Sequence, residues 1–126
     1  MSYIKKINQL KIMVLEDMPS RIQFFKHKLH RHDVYFFDNA DDAMNGLRYL
    51  NDKWDIVFLD HDLEGRIFVP SSYHNTGYTV AKFISENDIK INQIITHSMN
   101  PQGAQNIKAI LSRAEIIPFN LLKTKL

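Results

Sequence analysis

Asp55-Ile56-Val57-Phe58-Leu59-Asp60-His61-Asp62 is the stretch on which the fold turns. Its apolar run shows no alternation with polar residues, so it reads as a strand buried on both faces, as in a parallel sheet. Two other stretches share the form. Ile12-Met13-Val14-Leu15 runs into Glu16-Asp17, and Ile94-Ile95-Thr96 runs into His97-Ser98-Met99-Asn100. Polar groups at the carboxyl ends of parallel strands meet in one crevice, where open α/β sheets bind their ligands. Carboxylates gathered there repel one another until a cation neutralises them, and a hard dication takes one or two carboxylates together with phosphate oxygens. The expectation is a Mg²⁺-type site for phosphate chemistry.

The 126 residues make one domain, 1–126, long enough to bury a core. With 44% hydrophobic and 24% charged residues the chain is neither disordered nor membrane-spanning in character. The basic start, Met1-Ser2-Tyr3-Ile4-Lys5-Lys6, leads into no signal-like apolar run, and cytoplasmic residence is the default expectation. The absence of cysteine excludes disulfides, zinc thiolates and thiol nucleophiles. A net charge of +2 gives no strong nucleic-acid signal.

Outward from the central strand, strands and helices alternate. Residues 10–15 form the first strand, and Pro19 opens a helix over about Ser20–Arg31 with Ile22, Phe25 and Leu29 on one face. Val34–Phe37 is a second strand. After the capping region Asp38–Ala40 comes a helix that buries Ala43, Leu47 and Leu50. A third helix, from Thr76-Gly77, carries Val80, Phe83 and Ile84; Ile91–Thr96 is a strand. Pro101 opens a fourth helix with Ile107, Ile110 and Leu111, followed by a short strand over 115–117. Only eight residues remain after Pro118, room for two turns at most. Part of one sheet face is therefore expected to lie open or meet a partner, and a homodimer is one candidate. The alternation predicts a three-layer α/β domain.

These residues resemble the response-regulator receiver domain. Val14-Leu15-Glu16-Asp17-Met18-Pro19 is similar to that family's first strand and acidic pair, and Asp55–Asp60 to its third strand, with Asp60 at the phospho-acceptor position. Ser98 falls at the Ser/Thr position that ends strand four. The resemblance implies a flavodoxin-like sheet of five parallel strands in order 2-1-3-4-5, and Mg²⁺ or Mn²⁺ held by Glu16, Asp17 and Asp60. Three departures stand out. Ile117 occupies the place of the family's lysine before the last proline. His61-Asp62 follows Asp60 where apolar residues are usual. A lid-like insertion, at about 66–76, lengthens the loop before the third helix. With these departures, Leu59-Asp60-His61-Asp62-Leu63 and His97-Ser98-Met99-Asn100-Pro101-Gln102-Gly103-Ala104 resemble the two motifs of cyclic-phosphate-processing receiver-like proteins. That resemblance implies a metal-dependent phosphoesterase acting on a small, nucleotide-derived cyclic phosphate.

Each group has a chemical and a structural reading. Asp60 is a nucleophile or a metal ligand, and Asp62 shares its side if the strand continues. His61 and His97 can move protons at ester oxygens, or serve as structural histidines. Ser98 and Asn100 precede Pro101, so they cap a helix, and the N–H groups of that helix end can also receive phosphate. In the insertion, Arg66 can stand in for the missing lysine and Phe68 or Tyr73 can stack on a base, beside His74 and Asn75. The cluster of His27, His30 and His32 with its basic neighbours reads as a solvated helix surface. The rival function is a non-enzymatic receiver that is phosphorylated on Asp60 or binds a nucleotide or a partner protein.

Overall fold

Register decides which residues meet at the top of the sheet. In the computed structural model, which describes residues 9–50 and 53–126, five strands pair in parallel in the order β2-β1-β3-β4-β5. They are β1 (Lys11–Leu15), β2 (Asp33–Phe37), β3 (Trp54–Leu59), β4 (Ile91–Thr96) and β5 (Glu115–Ile116). The expected strand order is the one found. Leu15 pairs with Leu59, and Leu59 with Thr96. The next residue of each strand, Glu16, Asp60 and His97, therefore comes level with the other two. The ladder continues one step beyond the strands: Asp60 N–H donates to Leu15 O at 3.1 Å and His97 N–H to Leu59 O at 3.2 Å.

Side chains alternate across a strand. Ile12, Val14, Phe58 and Ile95 face one layer, built from Phe25 and Leu29 at α1 (Pro19–Lys28) and Leu122 of α5 (Phe119–Lys125). Met13, Leu15, Val57, Leu59 and Ile94 face the other, where α2 (Ala40–Tyr49), α3 (Gly77–Glu86) and α4 (Pro101–Ile110) contribute Leu47, Val80 and Ile107. Carried past the strand ends, the same alternation sends Asp60 and His97 to the α1/α5 side and His61 to the α4 side. Adjacent residues in one motif thus enter different layers.

Helix α1 ends three residues earlier than its apolar spacing predicts. The Leu29 N–H closes on Phe25 O, and a turn through His32 places Asp33 beside Lys11. His30 consequently lies outside the helix, with Nδ1 2.9 Å from His27 O, instead of sharing a helical face with His27. The final helix exists but is short, with Leu122 as its buried anchor. No described helix is long and apolar enough to cross a membrane. The basic segment Met1–Lys6 lies outside the described residues.

Candidate metal and phosphate site

Glu16, Asp60 and His97 bring one potential ligand atom each to within 4.8 Å of one another, and all three are buried. Glu16 is fixed on both oxygens. Oε1 lies 2.8 Å from His97 Nε2, and Oε2 accepts the Asp17 and Met18 N–H groups at 3.1 Å each. Burial alone would raise this carboxyl. The hydrogen bond and charge of His97, the Met18 amide and the Arg21 guanidinium outweigh it and hold Glu16 below its ordinary range. Asp60 has fewer supports. Burial, the Glu16 charge and a hydrogen bond shared with Glu16 push it up to about 9, against weaker pulls from Arg21 and the His61 N–H. At neutral pH the pair carries one proton between two carboxyls. A dication held by both carboxyls would take the place of that proton, and hard oxygen donors at this spacing suit Mg²⁺ or Mn²⁺. The residues fit the ion.

His97 stands behind this pair. Its ring is wholly buried, edge-on to Phe25 at 5.2 Å and within 6.3 and 6.4 Å of Phe119 and Phe58. Among the described residues, its Nδ1 is buried without a hydrogen-bond partner. It touches Glu16 and forms no part of the wall of the ≈ 360 Å³ cavity that opens above the carboxyls. The same holds for His61. Its Nδ1 lies 2.7 Å from Asp62 Oδ1 and its Nε2 2.8 Å from Ser71 Oγ, with the ring fully buried. Direct proton transfer from either imidazole to a ligand in this cavity is not what the geometry provides. Each ring instead orients a carboxylate.

Asp62 returns to the cavity side, as period two requires, but its oxygens are occupied. Oδ1 accepts from His61 Nδ1, from Asn100 Nδ2 at 3.0 Å and from Val69 N at 3.3 Å, while Oδ2 takes the Phe68 N–H at 2.6 Å. Burial raises Asp62, yet these donors hold it below its ordinary range. An ionised Asp62 can only accept, so His61 Nδ1 is the donor, while Nε2 shares a hydrogen bond with the Ser71 hydroxyl. Asn106 Nδ2 donates to the same Ser71 Oγ at 2.8 Å. Gly103 makes room for the imidazole, because a Cβ there would lie 2.4 Å from His61 Cγ. The glycine of the second motif thus admits the histidine of the first.

This network fastens the insertion. Asn75 Oδ1 accepts the Ala40 N–H at the start of α2, and His74 reaches Asp41 at 2.7 Å. Residues 71–75 are therefore held away from the cavity, and only Arg66, Ile67 and Phe68 line it. Phe68 is 69% exposed with φ +53°, a left-handed conformation that is costly for a side chain with a Cβ. Its amide is thereby turned onto Asp62.

The other expected site residues divide. Asp17 lines the cavity but stays outside the buried trio; its Oδ2 accepts the Gly65 N–H at 2.7 Å. Ser98 lines the cavity, buried, with Oγ accepting the Asn100 N–H at 3.0 Å and its own proton available. Asn100 caps α4 through Gly103 N–H and gives Nδ2 to Asp62 and to Val69 O, so its carboxamide holds protein. Arg66 is exposed, 3.4 Å from Glu64 and stacked on Tyr73 at 4.7 Å. The cation beside the carboxyls is Arg21.

A family model described as the cyclic-phosphate processing receiver domain matches residues 12–113. The chain belongs to this family. Solved structures share its fold. The phosphorylated cyanobacterial phytochrome response regulator RcpA aligns with a TM-score of 0.68 at 20% identity, over 94% of this chain and 86% of that one. TrrA from Thermotoga maritima, in complex with Mg²⁺-BeF, aligns at 0.65 and 18% identity over 93% and 94%. The Mn²⁺-bound form of response regulator Rcp1 aligns at 0.64 and 17% over 91% and 88%. No curated protein matches.

For a cyclic-phosphate processing receiver domain, this chain holds two residues whose place no motif reading supplied. Arg21 and Ser71 carry no motif of their own. Arg21 stands two residues after Pro19, one helical turn from the acidic pair, and that spacing was the available signal. Ser71 meets His61 only because the insertion folds back over α4.

Proposed function

We propose that this chain binds a small cyclic phosphate beside a divalent cation held by Glu16 and Asp60, and opens the ring by hydrolysis. The observation that carries this reading is the buried pair of carboxyls, Glu16 and Asp60, side by side at the floor of an open cavity. When bound, a dication there supplies concentrated positive charge against the phosphate oxygens.

The chain's own groups do the rest. His97 and the Asp17 and Met18 amides hold Glu16 in one orientation. The His61 N–H donates to Asp60 Oδ1 at 2.9 Å, and Oδ2 lies 3.9 Å from Arg21 Nη1. Ser98 offers a hydroxyl proton to a phosphate oxygen. Met18, Ile67, Phe68 and Met99 form an apolar rim that can cover the organic part and exclude water. In the reaction, water adds to phosphorus and one ring P–O bond breaks. The water proton passes to the departing ring oxygen, leaving a monoester beside a free hydroxyl. With both imidazoles enclosed, the proton carrier is a carboxyl on the wall, and Asp17 Oδ1 has no hydrogen bond among the described residues.

The test is turnover of a panel of 2′,3′- and 3′,5′-cyclic nucleotides and ADP-ribose cyclic phosphates with Mg²⁺ or Mn²⁺, followed by ³¹P NMR. Metal-dependent appearance of a monoester resonance supports the reading, and no turnover of any member removes it. A second reading, phosphorylation on Asp60, draws on the position of that residue at the end of β3. Ile117, packed with the apolar α1/α5 layer, stands against it. A stable one-phosphate mass adduct after incubation with a small phosphodonor would select it.

A further inference from the structure

We infer that Arg21 is the anion clamp of this site, its guanidinium fork and the Ser98 hydroxyl taking the phosphate oxygens that face away from a cation between Glu16 and Asp60. This rests on the phosphate-binding reading above and names the residue that receives the ligand.

Arg21 projects from the first turn of α1 into the cavity wall. Nη1 lies 3.7 Å from Glu16 Oε1 and 3.9 Å from Asp60 Oδ2. Both distances are too long for hydrogen bonds, though close enough for charge to act. Among the described residues the guanidinium makes no hydrogen bond at all. Its side chain is only 17% exposed, and its plane is steadied over the Phe119 ring at 4.9 Å. An arginine that is largely buried, oriented by an aromatic face and short of acceptors has its donors free. The guanidinium presents five N–H groups in a planar fork that matches two phosphate oxygens.

Placement sets the geometry. Arg21 and the carboxyls approach the same cavity from α1 and from the strand ends, so an anion seated there would meet both the fork and a cation held by the carboxyls. Ser98 lies on the same wall. Arg66, the other cation on this wall, is exposed and already faces Glu64 and Tyr73. It belongs to the rim.

The experiment compares wild type, Arg21→Ala and Arg21→Lys by titration with Mn²⁺ alone and then with inorganic phosphate at saturating Mn²⁺. Arg21→Ala is expected to lose phosphate affinity by about tenfold or more, the cost of a charge-assisted bond. Its Mn²⁺ affinity should hold or rise, because a positive neighbour of the carboxyls is gone. Arg21→Lys should recover part of the phosphate affinity without the bidentate fit. Opposite movements of the two affinities separate a clamp from a structural arginine, whose loss would weaken both together with the melting temperature. Phosphate affinity unchanged in Arg21→Ala, both affinities falling together, or a wild type that binds Mn²⁺ and no phosphate, each overturns the clamp. Failure of the ring-opening reading appears elsewhere, as a wild type that binds Mn²⁺ and phosphate yet turns over no cyclic phosphate.

Discussion

Asp60 and Asp62 stand two residues apart at the end of one strand, face the same cavity and are held in opposite states. Asp60 is pushed up to about 9, and Asp62 is held below its ordinary range. Burial raises both. The difference lies in their partners. Asp62 collects four donors, from His61, Asn100, Phe68 and Val69. Asp60 has one backbone N–H, a guanidinium 3.9 Å away and a carboxylate neighbour. A fully satisfied carboxylate is structural. An undersupplied one beside another carboxyl is a place for a cation.

The largest effect expected from breaking this contrast is at Asp60. Asp60→Asn should reduce any metal-dependent turnover by about 10³-fold, since the cation loses a charged ligand. The melting temperature of the metal-free protein should hold or rise, because the amide needs no proton taken up on folding, as the buried Asp60 carboxyl does. An Asp60→Asn protein that retains wild-type turnover takes Asp60 out of the chemistry.

Asp62→Ala should act in the reverse sense. It strands the Phe68 and Val69 amides and the His61 ring N–H, a loss of roughly 3 kcal/mol for several donors left without a charged acceptor. Amide exchange over residues 66–73 should quicken, while Mn²⁺ affinity changes little. If protection of that segment is unaltered, Asp62 does not anchor the insertion.

The third effect is a pH dependence. A cation must displace the proton of Asp60, so its affinity should rise by about tenfold per pH unit between pH 6 and 8 and level off above about 9. The slope should flatten in Asp60→Asn, and a flat wild-type profile would contradict the shared proton. Stability without metal carries the matching signs. Native Asp60 keeps a proton that the unfolded chain gives up near 3.8, so its contribution falls as pH rises from there towards about 9. The contribution of Asp62 is present above 3.8 and is lost as pH falls through its lowered native value. Thermal melts across pH, with and without Mn²⁺, read both.

Much of this was legible in residue order. Unbroken apolar runs ending in polar residues marked three buried parallel strands and brought Glu16 and Asp60 to one crevice. Other features were not. Asp17 reads as the equal of Glu16, yet its side chain leaves the strand end to take the Gly65 amide. His61 and His97 read as a pair, because nothing local says how deep a ring will lie. The aromatic enclosure of His97 comes from α1, β3 and α5, distant in sequence. Asn100 reads as a ligand-binding amide, but the fold gives its Nδ2 to Asp62 and to Val69 O in the insertion.

By itself the sequence determined the alternation of strands and helices and the acids at the strand ends, because periodicity and strand ends are local properties of the chain. The strand order followed from the resemblance to receiver domains. Only the tertiary structure decided which acid keeps a proton, which histidine supports which carboxylate and which arginine stands over the pair. Those outcomes depend on the number of donors that converge on each oxygen, and the donors come from segments far apart along the chain.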